Sequence, residues 1–282
     1  MVRWTRYKLS QEKQDLDKCI VHCTEAIFLP PISWDGSYLN NVFQLLFHIA
    51  SALLELSEEF EQPDGVKYSI EYLRYLRGLP LDPSDLHRNL VTTSLIRALA
   101  IQVSLDAGDM NMTRNIKEMV DLCRELLASN ASVDFLNSAF SYLNQAANTE
   151  FIRGQPIQLL NEVIECLQDA VKLFPSDSHD VLYALSNQLF GRFIITHSND
   201  DYEEATAQLE RILDPNRTVG CPDSIRVLAS SLFAVFALFR SAVFENPEYS
   251  EVAISRLRTL LSSPSVSENF RLHITDVLGI QA

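Results

Sequence analysis

Residues 66–78 read VKYSIEYLRYLRG, and this stretch decides the fold because its apolar side chains fall at helical spacing. Ile70, Leu73 and Leu76 stand three residues apart, which places them on one side of an α-helix. The pattern recurs about six times along the chain, and its middle position falls on Cys23, Leu73, Cys123, Leu167, Leu209 and Leu257. A single helix cannot bury such a stripe alone, so each repeat needs neighbours that cover it.

Two further positions complete the stripe in each repeat. Three residues before the middle position stand Ile20, Ile70, Val120, Ile164, Thr206 and Ile254. Three residues after it stand Ala26, Leu76, Leu126, Ala170, Ile212 and Leu260. The middle positions are separated by 50, 50, 44, 42 and 48 residues, which is a period of about 47. We therefore expect Leu73, Leu167 and Leu257 to lie almost fully buried between helices.

A first helix is predicted in each of the later repeats, before the second helix that carries the stripe. The predicted first helices cover residues 37–60, 84–107, 133–153, 179–197 and 224–244. Prolines close several of the second helices, because proline cannot continue a helix, and short connections favour antiparallel pairs. The sequence therefore predicts an all-α fold: a right-handed superhelix (α-solenoid) of five to six antiparallel helix pairs.

The ends of the chain look like parts of further repeats. We expect residues 1–282 to form a single repeat domain that belongs to a longer array, with incomplete terminal repeats at 1–14 and 265–282. These ends carry the large apolar residues Trp4, Tyr7, Phe270, Leu272, Ile274, Val277 and Leu278. Such side chains should fold back as caps or meet another chain, so we expect self-association through uncapped ends.

Charge and composition argue against several classes of protein. The net charge of −14 does not fit a nucleic-acid partner, which needs a basic stripe. The longest apolar stretch, residues 227–239, is shorter than the roughly 20 residues that span a bilayer, so we interpret it as a buried helix. Five cysteines without framework spacing favour reduced thiols and a cytoplasmic location. We expect no cofactor, no metal, no nucleic-acid partner and no membrane partner.

Several stretches resemble a known family. Residues 15–31, DLDKCIVHCTEAIFLPP, are similar to the helix common in fungal tetratricopeptide-like (TPR-like) proteins, and 66–78, 200–205 (DDYEEA) and 245–255 (ENPEYSEVAIS) look like later repeats of such arrays. The resemblance covers roughly residues 5–264. It implies a TPR-like superhelix of the kind found N-terminal to caspase-like CHAT domains.

The chain departs from that family in two ways. Its period of about 47 residues exceeds the 34 of a standard tetratricopeptide repeat, and the Trp, Gly and Tyr signature is largely missing. The His-Gly pair of a caspase-like site occurs nowhere in the sequence. No catalytic residue can therefore be carried over, and we expect the chain not to be an enzyme.

Three motifs can be interpreted either as chemical sites or as structural features. Residues 200–204, DDYEE, fit the pattern by which all-helical terpene synthases hold magnesium, but acidic residues are also typical of a helix N-terminus. Cys19 and Cys23, with His22 between them, form half of a zinc site without a second half, which favours packing. Cys221 is the one cysteine on a predicted loop, where we expect it to be exposed and oxidisable.

Polar residues on the first helices are the candidate binding set, because these helices line the concave face in TPR-like arrays. Their amides and guanidinium groups could hold the backbone or a carboxylate of a peptide, although bridging between neighbouring helices is the alternative. The candidates are Asn41, Gln44, His48, Arg88, Asn89, Thr92, Arg97, Asn137, Asn144, Asn148, Asn187, Arg192 and Arg240.

Three functions stay open from the sequence. The first is a non-catalytic scaffold that binds a protein or peptide segment on the concave face. The second is a regulatory repeat region of a caspase-like (CHAT) protease whose catalytic domain lies outside this chain. The third is an all-helical enzyme of the terpene-synthase type.

Overall fold

The fold is all-helical in the part of the chain that the structure describes. The structure is a computed structural model, and it describes residues 36–60, 63–79, 85–105, 111–129, 131–151, 157–173, 178–214 and 221–262, with single positions 18, 21 and 271. Ten α-helices and no strand lie within the eight described ranges. The predicted all-α class is therefore confirmed.

The helices alternate between the first and second helix of each predicted repeat. In chain order they are α1 (Gly36–Phe60), α2 (Pro63–Gly78), α3 (Asp85–Leu105), α4 (Met112–Ala128), α5 (Val133–Phe151), α6 (Ile157–Leu173), α7 (His179–Thr196), α8 (Asn199–Leu213), α9 (Asp223–Phe244) and α10 (Pro247–Leu261). The predicted first helices correspond to α1, α3, α5, α7 and α9, and their bounds agree to within two residues.

The middle positions of the stripe that the structure describes lie in the core, as predicted. Leu73 and Leu167 are 0 % exposed and Leu257 is 7 % exposed. Burial of one such side chain is worth roughly 1.5–3 kcal/mol, so the stripe is a principal source of stability. The one polar member, Thr206, is half-buried, and its hydroxyl donates to the Tyr202 carbonyl at 2.8 Å. That hydrogen bond satisfies the hydroxyl within its own helix.

The chain divides into two compact units. The N-terminal unit covers Met1–Tyr142 and the C-terminal unit covers Leu143–Ala282. The boundary falls inside α5, so one continuous helix contributes to both units.

In the N-terminal unit, side-chain contacts establish two antiparallel helix pairs. The Ser69 hydroxyl of α2 donates to the Ala50 carbonyl of α1 at 3.0 Å, and Gly65, nearer the start of α2, approaches Ser57, nearer the end of α1. A Cβ atom at position 65 would lie too close to the Ser57 hydroxyl oxygen, so any other residue there would require Ser57 to shift.

The α3–α4 pair runs the same way. The Asn115 amide of α4 donates to Gln102, near the end of α3, at 3.3 Å. The Ser129 hydroxyl, just after α4, donates to Asn89, near the start of α3, at 3.2 Å. These helices of 21 and 17 residues, about six and five turns, thus pack side by side along their length.

In the C-terminal unit, the α7–α8 and α9–α10 pairs are also antiparallel. The Ser186 hydroxyl of α7 reaches the Ala205 carbonyl of α8 at 3.2 Å, and the Ser241 and Ser250 hydroxyls join α9 to α10 at 2.6 Å. A small apolar cluster lies between α9 and α10, formed by Ala234, Ala237, Ala253 and Leu257.

In both pairs the chain turns from the first helix to the second through a residue of the same backbone conformation. His197 follows α7 with φ of 54°, and Glu245 follows α9 with φ of 52°. The left-handed conformation ends each first helix and directs the chain into the second. The two residues are 48 positions apart, which is also the spacing between the stripe residues Leu209 and Leu257.

Successive pairs contact through like helices within each unit. In the N-terminal unit, the Phe43 ring of α1 lies 4.9 Å from the His87 ring of α3, and Arg74 of α2 donates to Glu118 of α4 at 3.0 Å. In the C-terminal unit, the Phe190 ring of α7 lies 4.2 Å from the Phe236 ring of α9. Like helices thus meet at these side chains, and in addition α2 packs against α3, α6 against α7 and α8 against α9.

Helix α9 departs from the prediction of a buried helix at 227–239. Phe236 is 0 % exposed, but Leu228 and Val235 on another face are 44 % and 47 % exposed. By length and composition alone α9 could also cross a membrane, although 28 % of its most apolar stretch is buried inside the protein. The helix is core on one side only.

Candidate functional site

Three of the candidate residues form an exposed polar face on α1. Asn41, Gln44 and His48 are all exposed, and their spacing of three and four residues places them on one side of the helix. The His48 ring lies 6.5 Å from the Phe47 ring beside it. We call these three residues the α1 polar face. It lies open to solvent and to any partner.

The candidates at the start of α3 tie that helix to α4. The Arg88 guanidinium donates to the Glu125 carboxylate, with an Nε–Oε1 distance of 2.9 Å. Arg77 of α2 also donates to Glu125, so one carboxylate joins three helices. Asn89 is 6 % exposed and accepts a hydrogen bond from Ser129. Both candidates therefore have partners inside the protein.

The remaining candidates of the N-terminal unit are buried or paired. Arg97 of α3 forms an ion pair with Glu58 of α1, and the hydrogen bond to Glu58 raises the pKa of the Arg97 guanidinium. The Thr92 hydroxyl and the Asn137 carbonyl oxygen are buried and have no hydrogen-bond partner among the described residues. Thr92 is 1 % exposed, so it is out of reach of a partner.

In the C-terminal unit, three asparagines surround one glutamine. The Gln188 amide donates to the Asn144 side chain at 2.6 Å and to the Asn148 side chain at 2.8 Å. Asn187 also donates to Asn144, at 3.3 Å. Gln188 is 1 % exposed, so these bonds satisfy its amide where water cannot. The cluster joins α5 to α7. This is the bridging between neighbouring helices that the sequence allowed as the alternative to peptide binding.

Arg192 is the centre of a shielded ion pair. Its Nη2 lies 2.6 Å from Asp201 Oδ1, and its Nε lies 3.1 and 3.0 Å from the two Asp201 oxygens. Its Nη1 donates to Asn161 at 3.0 Å. Asp201 is 4 % exposed. One guanidinium thus joins α6, α7 and α8.

Arg240 occupies the equivalent place in the next pair, but its contacts differ. Its guanidinium carbon lies 3.9 Å from the Tyr202 ring centroid and 4.3 Å from the Tyr249 ring centroid. Its Nη2 donates to Asn199 at 2.6 Å. Burial raises the pKa of the Tyr202 phenol, and the nearby Arg240 opposes that rise. The candidate is held between two aromatic rings.

The acidic motif at the start of α8 does not converge on a single point. Asp201 pairs with Arg192, Glu204 accepts from Gln168 at 2.8 Å, and Glu203 accepts from Asn199 at 2.5 Å. Within the described ranges, no group of three or more His, Cys, Asp and Glu residues could hold a metal ion. The contacts of this motif are therefore those of a structural helix start.

Cys221 corrects the expectation of an exposed thiol. It is 7 % exposed, and burial raises the pKa of its thiol although Arg226 lies near enough to lower it. A raised pKa keeps the sulfur protonated and poorly nucleophilic. Cys123 and Cys166 are also buried thiols. Cys19, His22 and Cys23 lie outside the described residues, as do the apolar residues of both chain ends.

An open cavity of about 630 Å³ lies along α10. Glu251, Ile254, Ser255, Arg258, Thr259 and Ser262 line it, and they form one side of a single helix. Among the described residues the lining comes from α10 and the residue that follows it, so in this part of the chain the cavity has the character of an open helix surface.

Sequence reasoning did not select three residues that organise the candidate set, although it considered Asp201 as part of the acidic motif at 200–204. Gln188, Asn161 and Asp201 are the partners that hold Asn144, Asn148 and Arg192 in place. The signal for Asp201 was its spacing of nine residues from Arg192, which matches a helix, a tight turn and a second helix. For Gln188 the spacing of 40 and 44 residues from Asn148 and Asn144 follows the repeat.

Eight of the thirteen candidates are thus bound within the protein, and in two more, Thr92 and Asn137, the side-chain oxygen is buried. The α1 polar face is the part of the set that lies exposed without such a bond in the described part of the chain. A comparison of the chain with known protein families and with curated proteins finds no match.

Proposed function

We propose that this chain is a non-catalytic scaffold that binds a protein or peptide segment on the first helices of a TPR-like, right-handed superhelix. The observation that carries the proposal is the α1 polar face, where Asn41, Gln44 and His48 stand exposed on one side of a helix. Their amides and imidazole would donate to and accept from the backbone of the bound segment.

The stacking of helices supports a repeat scaffold. Like helices contact one another within each unit, as the Phe43–His87 and Phe190–Phe236 ring pairs illustrate. Within each unit, such stacking would align the free faces of successive first helices. A surface of this kind binds by shape and hydrogen bonding, with no reaction of its own.

The other candidates are less available to a ligand, because most of them already form bonds within the protein. Arg88, Arg97, Arg192 and Arg240 already hold partners inside the protein, so recruiting them for a ligand would break existing contacts. Binding should therefore depend most on α1. This dependence gives the proposal a direct test.

The test compares two triple variants in a native lysate of the source organism. One removes the α1 polar face (Asn41→Ala, Gln44→Ala and His48→Ala). The matched control removes Asp64, Lys67 and Glu71, which are exposed on α2 at the same spacing of three and four residues. Proteins captured by the immobilised parent chain and by each variant are quantified by mass spectrometry.

We expect the α1 variant to lose at least about tenfold of the captured partner, because three hydrogen bonds are each worth about 0.5–1.5 kcal/mol. The α2 control should capture as much as the parent chain. Equal capture by all three proteins would place binding elsewhere. No specific capture by the parent chain would count against the scaffold function itself.

A further inference from the structure

Helix α9 presents an uncharged face to solvent. Leu228, Val235 and Ala242 are spaced seven residues apart and are exposed, the first two by 44 % and 47 %. Ser224 and Ser231 lie on the same side of the helix. We call these five residues the α9 stripe. Neighbouring exposed apolar side chains, in contrast to single scattered ones, are typical of interaction sites.

The repeat itself does not require this apolar character. The positions 48 residues earlier, on α7, are occupied by the polar residues Asp180 and Asn187 in place of Leu228 and Val235. Both helices pack their other faces into the C-terminal unit through Phe193 and Phe236. Asp180 and Asn187 are half-buried, and Asn187 bonds to Asn144 of α5. Tyr183 and Ile194 stand in place of Ser231 and Ala242. The exposed leucine and valine are therefore particular to α9 and need another explanation.

Carboxylates stand at both ends of the stripe. At the start of α9 lie Asp223 and Asp180, and the Asp180 charge is close enough to act on the Cys221 thiol just before the helix. After the end of α9 come Glu245 and Glu248, both exposed. Arg226 forms an ion pair with Asp223, so the net negative charge at the start of the stripe comes from Asp180. At its other end the negative charge comes from Glu245 and Glu248.

The surrounding unit is acidic as well. Residues 143–282 contain 18 Asp and Glu against 10 Lys and Arg. A partner would therefore be attracted by basic side chains and would need an apolar centre. An anionic bilayer has the wrong charge for such a surface.

The dimensions of the stripe fit a helix. Leu228 and Ala242 are 14 residues apart along α9, or about 21 Å at the rise of an α-helix. The small side chains of Ser231 and Ala242 permit close approach of a second backbone, and apolar residues at seven-residue spacing pack against a matching stripe.

We propose that the α9 stripe is a docking face for an amphipathic helix of a partner protein, whose apolar side is flanked at both ends by Lys or Arg. This face lies in the C-terminal unit and is separate from the α1 polar face. It extends the proposed scaffold function and names the chemistry of one partner segment.

The test uses a dye-labelled, 18-residue synthetic helix as the probe. Leucines at positions i, i+4, i+7 and i+11 form its apolar side, Ala and Gln fill the rest, and two Lys stand at each end. A second peptide carries Glu in place of Lys, and a third has the same composition with the leucines scattered. Binding to the whole 282-residue chain is measured by fluorescence anisotropy.

We expect the Lys-ended helix to bind at least about tenfold more tightly than either control peptide, because both the stripe and the charge must match. The double variant Leu228→Glu plus Val235→Glu should weaken binding at least about tenfold. The matched control, Ile195→Glu plus Val252→Glu, changes residues of similar exposure (48 % and 42 %) on α7 and α10, and it should bind as the parent chain does.

Several results would overturn the inference. Equal binding of the Lys-ended and Glu-ended helices would remove the charge argument without any change to the protein. Sedimentation that shows a dimer abolished by Val235→Glu would assign the stripe to a second copy of this chain. Binding of the parent chain, but not of the double variant, to neutral phosphatidylcholine vesicles would assign it to a lipid surface.

The outcome separates this inference from the proposed function. The α1 variant should bind the probe helix as the parent chain does, because its substitutions lie on a different helix. If the probe fails to bind while the lysate partner still depends on α1, the scaffold stands and the α9 inference falls.

Discussion

The α7–α8 and α9–α10 pairs place an arginine at the same point and use it differently. Arg192 and Arg240 are 48 residues apart, and so are Asp201 and Tyr249, the residues they meet on the following helix. In the first pair the guanidinium forms an ion pair with Asp201. In the second it lies over the Tyr249 and Tyr202 rings.

The difference teaches that the repeat fixes a place for a cation but not the chemistry of its partner. An arginine suits both roles because its planar guanidinium donates in a fork to a carboxylate and also stacks on aromatic faces. Losing the partner of a shielded ion pair leaves a charge without compensation, whereas losing one ring of a stack leaves the other. The two pairs should therefore respond differently to substitution.

The largest losses of stability should follow from substitution of the stripe leucines, which both helix pairs contain. Leu209→Ala and Leu257→Ala remove equivalent stripe residues, which are 0 % and 7 % exposed. Each should lower the free energy of unfolding by about 2–5 kcal/mol, because the cavity left behind adds to the lost burial. Urea unfolding followed by circular dichroism measures both. A loss below about 1 kcal/mol at either position would contradict the repeat register.

The next largest loss of stability should occur in the α7–α8 pair alone, where the arginine forms an ion pair. Asp201→Ala should cost about 3 kcal/mol, since it leaves Arg192 shielded without its carboxylate. The matched control is Asp200→Ala, because Asp200 is the preceding residue in the same first helical turn and is exposed. Both changes remove one acidic residue near the helix N-terminus, so the difference isolates the ion pair. Equal unfolding free energies for the two variants would show that the pair contributes nothing.

A smaller effect should follow from Arg240→Ala. Loss of the stack over Tyr202 and Tyr249 should cost about 1–2 kcal/mol, in the range of partly shielded cation–π contacts. The pKa of Tyr202, already raised by burial, should rise further, because Arg240 is the group that opposes the rise. Ultraviolet titration of the tyrosines measures this shift. A Tyr202 pKa that falls in the variant would refute the assignment, and the exposed Arg258→Ala should leave it unchanged.

The smallest change should be a gain of stability. Replacing Glu245 by Gly should raise the free energy of unfolding by about 0.5–1 kcal/mol, because a side chain in the left-handed conformation is strained and glycine is not. His197→Gly should do the same in the other pair, since the two φ angles differ by only 2°. Thermal unfolding of both variants measures the gain. A loss at either site would mean that the side chain makes a contact worth more than the strain.

The apolar pattern predicted the helices well, while the polar contacts needed the structure. Leu73, Leu167 and Leu209 recur at helical spacing and are buried, because burial of an apolar stripe depends on periodicity alone. The partner of Arg192 could not be chosen in this way. Asp200 and Asp201 are adjacent and chemically identical, and only the rotation of α8 turns one inward and leaves the other exposed.

The candidate binding residues also show that sequence patterns do not predict polar contacts. The sequence selected polar residues on first helices, and it could not distinguish those that meet a neighbouring helix from those that face solvent. Asn144 and Asn41 look alike in the sequence, yet Asn144 accepts hydrogen bonds from α7 and Asn41 is exposed. The difference is that Asn144 has a partner, Gln188, which follows it by 44 residues. A partner so distant in the sequence cannot be identified from a local pattern.

The stacking of neighbouring pairs has a consequence for how the chain acquires its structure. The hydrogen bonds and ion pairs described above join residues at most 48 positions apart, the longest being Arg77 with Glu125. Contacts of this kind give a low contact order, which is associated with rapid folding. During synthesis, each helix pair can find its partner as soon as the next one has left the ribosome, so exposure of an unfinished apolar stripe is brief.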